Sequence, residues 1–411
     1  RMGFDGFKSS LNDTVYNFLV NTKRIEAFSK TGWVFKKEAT SLGFINNVSR
    51  IDQNSIYGHN HFDASQDNWY SNLIYESFIG NTFHKYTTGA SFMYDNYHQQ
   101  LNGVEMPKQE YTPGVFFQYT YTHSDKYVLM AGIRADHSNI YGTFFTPRFH
   151  FKYNFPNDMI VRLSVGKGYR SPNAIAENMN LLASSRQIVV SPDIKMENAW
   201  NLGITASKGI MIGEKELHVY GEYFRTQFIN QMITDLDVSA TKAYIINNHN
   251  RPYSNNYQLE LSMSPVNRLD VLIAYRRSDV RAIYNGSLRQ RPLVNTYKGL
   301  TTVSYFTNKK KWQIDLTAQF NGGGRLPDTY VNPQTNAVGG NFPTFTMLNS
   351  QLTKNFKKLS LYVGVENILN YRQADPVLGA NDPFGSNFDS SMIWGPLEGR
   401  MAYGGLRFTI D

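Results

Sequence analysis

The chain has 411 residues, with 41 Lys and Arg against 33 Asp and Glu and a net charge of +8. Only 18% of residues are charged and 14% are aromatic, against roughly 25% charged in an ordinary soluble domain. No apolar run approaches the ~18 residues of a membrane-spanning helix, the lack of cysteine excludes a disulfide scaffold, and the aromatic content excludes disorder. Basic residues are scattered, with Lys309-Lys310-Lys311 the one tight run, so no nucleic-acid-binding patch is expected.

In chain order, a period of two runs from about residue 24 to the end. It predicts about seventeen strands, near 24–36, 41–54, 66–79, 83–99, 109–122, 126–139, 143–153, 158–169, 196–208, 215–230, 253–264, 268–282, 294–306, 311–322, 344–355, 358–369 and 398–410. Trp312, Ile314, Leu316, Ala318 and Phe320 share one face, opposite Gln313, Asp315, Thr317 and Gln319; Leu359, Leu361, Val363 and Val365 do the same opposite Ser360, Tyr362, Gly364 and Glu366. Many of these segments exceed the ~5–6 residues of a globular strand. Long strands with one apolar face each predict an all-β fold, an antiparallel transmembrane β-barrel occupying 1–411 as a single domain.

The connections alternate. Short turns are predicted at Glu38–Thr40, Gly80–Thr82, His123–Asp125, Asn154–Asn157, Gly209–Glu214, Ser264–Asn267, Phe306–Lys310 and Phe356–Lys357, and long ones near 55–65, 100–108, 170–195, 231–252, 283–293, 323–343 and 370–397, with 139–142 the short exception. Barrels of the outer membrane have short periplasmic turns and long extracellular loops. Phe78, Tyr119, Tyr121, Tyr127, Tyr153, Phe155, Tyr305, Phe306, Trp312 and Phe356 flank the short turns, as an interfacial aromatic girdle or as strand-end packing would require. Arg134, Asp136, Arg148, His150, Glu222, Glu260, Asp270, Arg276, Asp315 and Glu366 fall on the opposite face, a mixture that suits a wet interior and not a dry core. Seventeen is odd whereas bacterial single-chain barrels are even, so either one strand is miscounted or strands are missing before residue 1, and the abrupt start favours the second.

Two irregular stretches stand out. Ala174 to Leu182 reads as a short helix with Ser171 and Asn173 as candidate caps, and 370–397 is rich in both turn residues and aromatics. No nucleophile elbow, phosphate-binding loop or zinc-protease motif occurs, and no enzyme is expected. The sharpest metal-like pattern is His59-Asn60-His61-Phe62-Asp63: on an extended segment His59, His61 and Asp63 share a side and suit Cu, Zn or Fe, although a solvated loop carries such residues too. Arg170, Glu177 and Arg186 at the mouth are candidate ligand contacts, and the same residues could serve only to fold the loop back onto the rim.

Val161–Pro172, then Glu177, Glu197-Asn198, Asn201 and Gly203, resemble the mid-barrel signature of TonB-dependent outer-membrane receptors. Gly364-Val365-Glu366-Asn367-Ile368-Leu369-Asn370-Tyr371-Arg372 resembles the penultimate strand, and Trp394–Arg400 through Gly404–Ile410 the closing strand, in a form associated with the Bacteroidetes branch. The resemblance implies a 22-stranded barrel whose first strands and N-terminal plug are absent from this chain, the seventeen strands matching roughly strands 6 to 22, and uptake of a scarce nutrient across the bacterial outer membrane, driven by TonB acting through the plug. It implies a transported metal chelate (siderophore, haem or metal complex) with no intrinsic cofactor, and a possible surface lipoprotein partner. A structural or adhesive barrel component of a larger assembly is the competing expectation.

Overall fold

The computed structural model describes residues 16–328 and 340–409. Its long strands are β1 (Phe18–Val34), β2 (Ser41–Tyr57), β3 (Asn60–Phe78), β4 (His84–Leu101), β5 (Lys108–His123), β6 (Tyr127–Ser138), β7 (Arg148–Asn154), β8 (Ile160–Arg170), β9 (Glu197–Ile212), β10 (Lys215–Asp235), β11 (Tyr253–Val266), β12 (Leu269–Tyr284), β13 (Tyr297–Phe306), β14 (Trp312–Asn321), β15 (Phe345–Asn355), β16 (Leu359–Glu366) and β17 (Met401–Phe408). Each pairs antiparallel with the next. With five short strands on the longer connections they make a 22-stranded sheet. The seventeen segments expected from the periodicity are these seventeen strands. Among the described residues β1 pairs only with β2 and β17 only with β16, which leaves a seam in the barrel wall.

Cross-strand register carries one parity around the wall. Phe117 faces Ile133, Phe149 faces Val165, Val165 faces Leu202, Leu259 faces Tyr275, and Leu361 faces Leu406. These side chains are exposed although apolar: Leu361 is 42% accessible, Val363 59%, Leu406 67% and Phe408 61%. Such a belt needs lipid, since among the described residues no second sheet covers it.

The opposite parity is polar and self-bonded. Arg134 grips Asp136 through Nε–Oδ2 at 2.7 Å and Nη2–Oδ1 at 2.5 Å, Arg148 donates to Gln118 at 2.9 Å, Arg276 donates to Gln258 at 2.8 Å, and Ser304 donates to Asp315 at 2.6 Å. The segment after β8 bonds back to β2, β5 and β10. A segment that reaches strands so far around the sheet must cross its concave side, so the polar parity faces the bore.

Aromatic rings line the short-turn rim. Tyr121 and Tyr127 lie 5.9 Å apart, Tyr127 and Phe151 6.3 Å, and Tyr153 and Phe155 4.6 Å. Lys354 Nζ sits 4.0 Å over Trp312, the arrangement of an amphipathic stem reaching for headgroups.

Four connections expected to be long loops are strand extensions. β2 and β3 meet in a tight turn at Gly58-His59, where Gly58 has φ +60, and not in a loop over 55–65. Val104–Glu105 pairs with β4, Lys242–Asn248 with β10, and Ser287–Gln290 with β12. The reason is physical: β3 has 19 residues and β10 has 21, whereas a bilayer needs only ~9–11 per strand. Beyond the lipid both faces are wet, so the apolar alternation fades while the backbone pairing continues. The connection 323–343 lies partly outside the described residues.

Candidate functional site at the barrel mouth

The buried apolar residues cluster where the connections fold over the mouth. Tyr57 and Phe62 of the wall pack on Ile175, Leu182 and Ala183, and Leu181 packs on Leu236, Ala243 and Met392. Hydrophobic burial thus draws separate connections into one cap over a hydrated bore.

The segment expected as a helix over 174–182 forms a 3-10 helix, Ala176–Ala183, interrupted at Asn178. Asn173 closes its start reciprocally: Ala176 N donates to Asn173 Oδ1 at 3.3 Å and Asn173 N donates to Glu177 Oε1 at 2.8 Å. Ser171 is not a cap. Its hydroxyl donates to Glu110 Oε2 at 2.5 Å and accepts from Lys108 Nζ at 2.6 Å, and Lys108 also donates to the Pro172 carbonyl at 3.0 Å. The Arg-Ser-Pro stretch is therefore the anchor of the cap on the inner wall. Glu110 is buried and takes a further bond from Ser138 at 2.7 Å, which satisfies a carboxylate that would otherwise be costly to bury.

Arg170 and Glu177 are brought together. Arg170 Nη1 meets Glu177 Oε2 at 2.6 Å and Nε donates to Glu197 Oε2 at 2.6 Å. Glu197 Oε1 also accepts the Met232 amide at 2.8 Å, so one arginine ties the cap to β8, β9 and β10. Beside it lies a cavity of about 260 Å3, lined among others by Arg170, Glu177, Gln231, Thr234, Tyr284 and Arg291. The Tyr284 hydroxyl, on the ribbon above the bilayer, is pushed up to about 12 by burial, against the pull of Arg291 and Arg325; it stays a neutral donor there.

Arg186 stands apart from that cavity. Its guanidinium is buried, donates to Asp389 Oδ2 at 2.7 Å and reaches the Ser239 carbonyl at 2.8 Å. In this arrangement it joins loops, with its donors turned toward protein. Tyr16 closes the same corner, 4.7 Å from the Phe388 ring, with its hydroxyl pushed up to about 12 by burial and by Asp389.

His59, His61 and Asp63 lie at the tip of the β2–β3 ribbon. His59 packs 4.5 Å from the Phe384 ring, while Asp63 accepts a hydrogen bond from Asn54. His61 and Asp63 have the parity of Trp69 and Leu73, which puts them on the outer wall. Among the described residues no group of three or more His, Cys, Asp or Glu could hold a metal ion. Lys108, Glu110, Asp389 and Arg291 escaped the sequence reading. Glu110 and Lys108 did carry a signal, two charges at inward parity where the segment after β8 lands; Arg291 and Asp389 carried none, since both sit in irregular chain.

A family profile described as "TonB dependent receptor-like, beta-barrel" matches residues 5–368. Among curated proteins no sequence matches. Among solved structures the chain is similar to the copper transporter OprC, with a TM-score of 0.71 and 12% identity over 95% of this chain and 65% of that one. It is also similar to a mutant ferric enterobactin receptor, PfeA, from Pseudomonas aeruginosa (TM-score 0.67, 11% identity, 94% of this chain and 61% of that one). A third is the ferric-catecholate import receptor Fiu from E. coli K12 (TM-score 0.66, 12% identity, 95% of this chain and 64% of that one). The chain thus spans less than two thirds of the length of each of these structures.

Proposed function

From the premise that this chain belongs to the TonB-dependent receptor β-barrel family, we propose that it forms the wall and mouth of an outer-membrane receptor that takes up a metal chelate with energy delivered by TonB. The cavity beside Arg170 carries this reading. It combines two arginines, carboxylates, amides and a tyrosine hydroxyl under an anchored cap, a donor-rich recess suited to the polar periphery of a chelate. The names of the copper transporter and the ferric-catecholate receptors support a metal complex as cargo. Arg170 and Glu177 are the candidate ligand contacts, and Arg186 shapes the cap that covers them. The metal travels as cargo and requires no resident ion. Coupling to TonB through a plug, and capture aided by a surface lipoprotein, complete the proposal.

The test is titration calorimetry of the full-length receptor with ferric enterobactin and with a copper(II) chelate. The reading expects saturable binding of at least one, weakened tenfold or more by R170A/E177A. Binding of neither chelate, with a correctly folded barrel, would overturn it.

A further inference from the structure

The outer wall of β1–β4, above the lipid belt, holds a hollow of about 480 Å3 that the uptake reading leaves unused. Its rim includes Lys23, Asp52, Asp63, His98, Gln100 and Glu105. The register fixes the side: Lys23 pairs with Asp52, Asp52 with Ser65 and Ser65 with His98, while Asp63 pairs with Gln100 and Gln100 with Glu105. These positions continue the parity of the lipid-facing Val48 and Trp69. Just below, Arg50 meets Asp52 at 3.0 Å and Asp67 at 3.2 Å, so the wall turns from apolar to charged at this level. The hollow therefore sits where the headgroups of a surrounding leaflet lie.

Two observations select the ligand class. Among the described residues, the side chains of Lys23, His98, Gln100 and Glu105 have no hydrogen-bond or ionic partner, so four polar groups around one recess keep free valences. Asp52, Asp63 and Glu105 outnumber Lys23 even with Arg50 counted beside Asp52, a balance that disfavours phosphate and accepts hydroxyl donors, while the amide of Gln100 offers donor and acceptor together. We propose that this groove binds a neutral, polyhydroxylated saccharide. Its source is either the sugar headgroup of a glycolipid in the adjoining leaflet or a free oligosaccharide at the cell surface. Binding there grips the outside of the barrel and lies off the route through the bore.

The test uses the full-length receptor in detergent, with three probes: rough-type lipopolysaccharide, its delipidated and dephosphorylated core oligosaccharide, and phosphatidylglycerol. The proposal expects the oligosaccharide to bind, and both Q100A/E105A and the groove-filling S65W to weaken it at least tenfold while heat-modifiable gel mobility, the sign of a folded barrel, is retained. Tighter binding of the lipopolysaccharide than of its core assigns the glycolipid as source, and equal binding assigns the free saccharide. Phosphatidylglycerol as the sole ligand, or variants that bind like the wild type, overturns the proposal. Because chelate binding at the mouth is read separately on the same preparation, its loss or retention leaves this outcome independent.

Discussion

Arg186 and Asp389, 203 positions apart, form a buried ion pair at 2.7 Å that joins the two longest irregular segments of the chain. Around it Ser184 bridges Asp389, Ser185 N donates to Phe388 O at 2.8 Å, and Ser390 Oγ donates to Ala183 O at 2.6 Å. The two segments therefore behave as one cap, with the Ser239 carbonyl recruiting a third.

Removing one partner strands a buried charge, which costs about 3–5 kcal/mol, whereas replacing both with apolar residues is nearly neutral. R186L and D389L should each open the cap and expose 370–397 to protease under conditions where the wild type resists. The double variant R186M/D389L should regain most of the protection. Equal protection in all four proteins would show that the pair does not hold the cap.

The outer belt can be tested by charge insertion. L361R and L316R should lower folding stability in lipid vesicles by ~2–4 kcal/mol if the positions lie near the midplane, with smaller losses toward the interfaces. Y362R, on the bore side of the same strand, should cost much less. Equal losses for L361R and Y362R in a urea titration would mean the parity is assigned to the wrong face.

Gly114 lies between Asp136 and Ser91 in the register. A Cβ there would come 1.9 Å from Asp136 Oδ1 and 2.8 Å from Arg134 Nη2. G114A must therefore displace the Asp136–Arg134 pair, an overpacking cost of about 1–3 kcal/mol. S91A, which removes only an acceptor of Arg134 at 2.5 Å, should cost about 1 kcal/mol. The comparison of the two midpoints in denaturant decides whether the glycine is needed for space.

At the mouth, R170A leaves Glu177 and Glu197 facing each other without their shared cation, so affinity for a chelate should fall tenfold or more. H59A/H61A, at the ribbon tip, should leave that affinity within twofold. Calorimetry that gave the opposite ranking would move the binding site from the cavity to the ribbon.

Within the lipid-facing band the alternation of Leu359, Leu361, Val363 and Val365 specified strands, faces and even the seventeen-strand count, because lipid demands an apolar residue at every second position. Above the band that demand lapses. There 55–65 and 231–252 look like loops in sequence and are paired ribbons in three dimensions. The Arg-Ser-Pro stretch is visible as a motif, but its role as an anchor depends on Lys108 and Glu110 lying beneath it.

What the sequence alone determined is the barrel: its class, its strands, its short-turn rim and the side that meets lipid, all consequences of a local period of two. What the tertiary structure decided is the mouth. Arg170 meets Glu177 and Glu197, Arg186 meets Asp389, and His61 and Asp63 fall on the outer wall while Phe62 packs under the cap, because contacts between distant irregular segments depend on how far strands run past the membrane and where the chain crosses the bore, and neither quantity leaves a periodic trace.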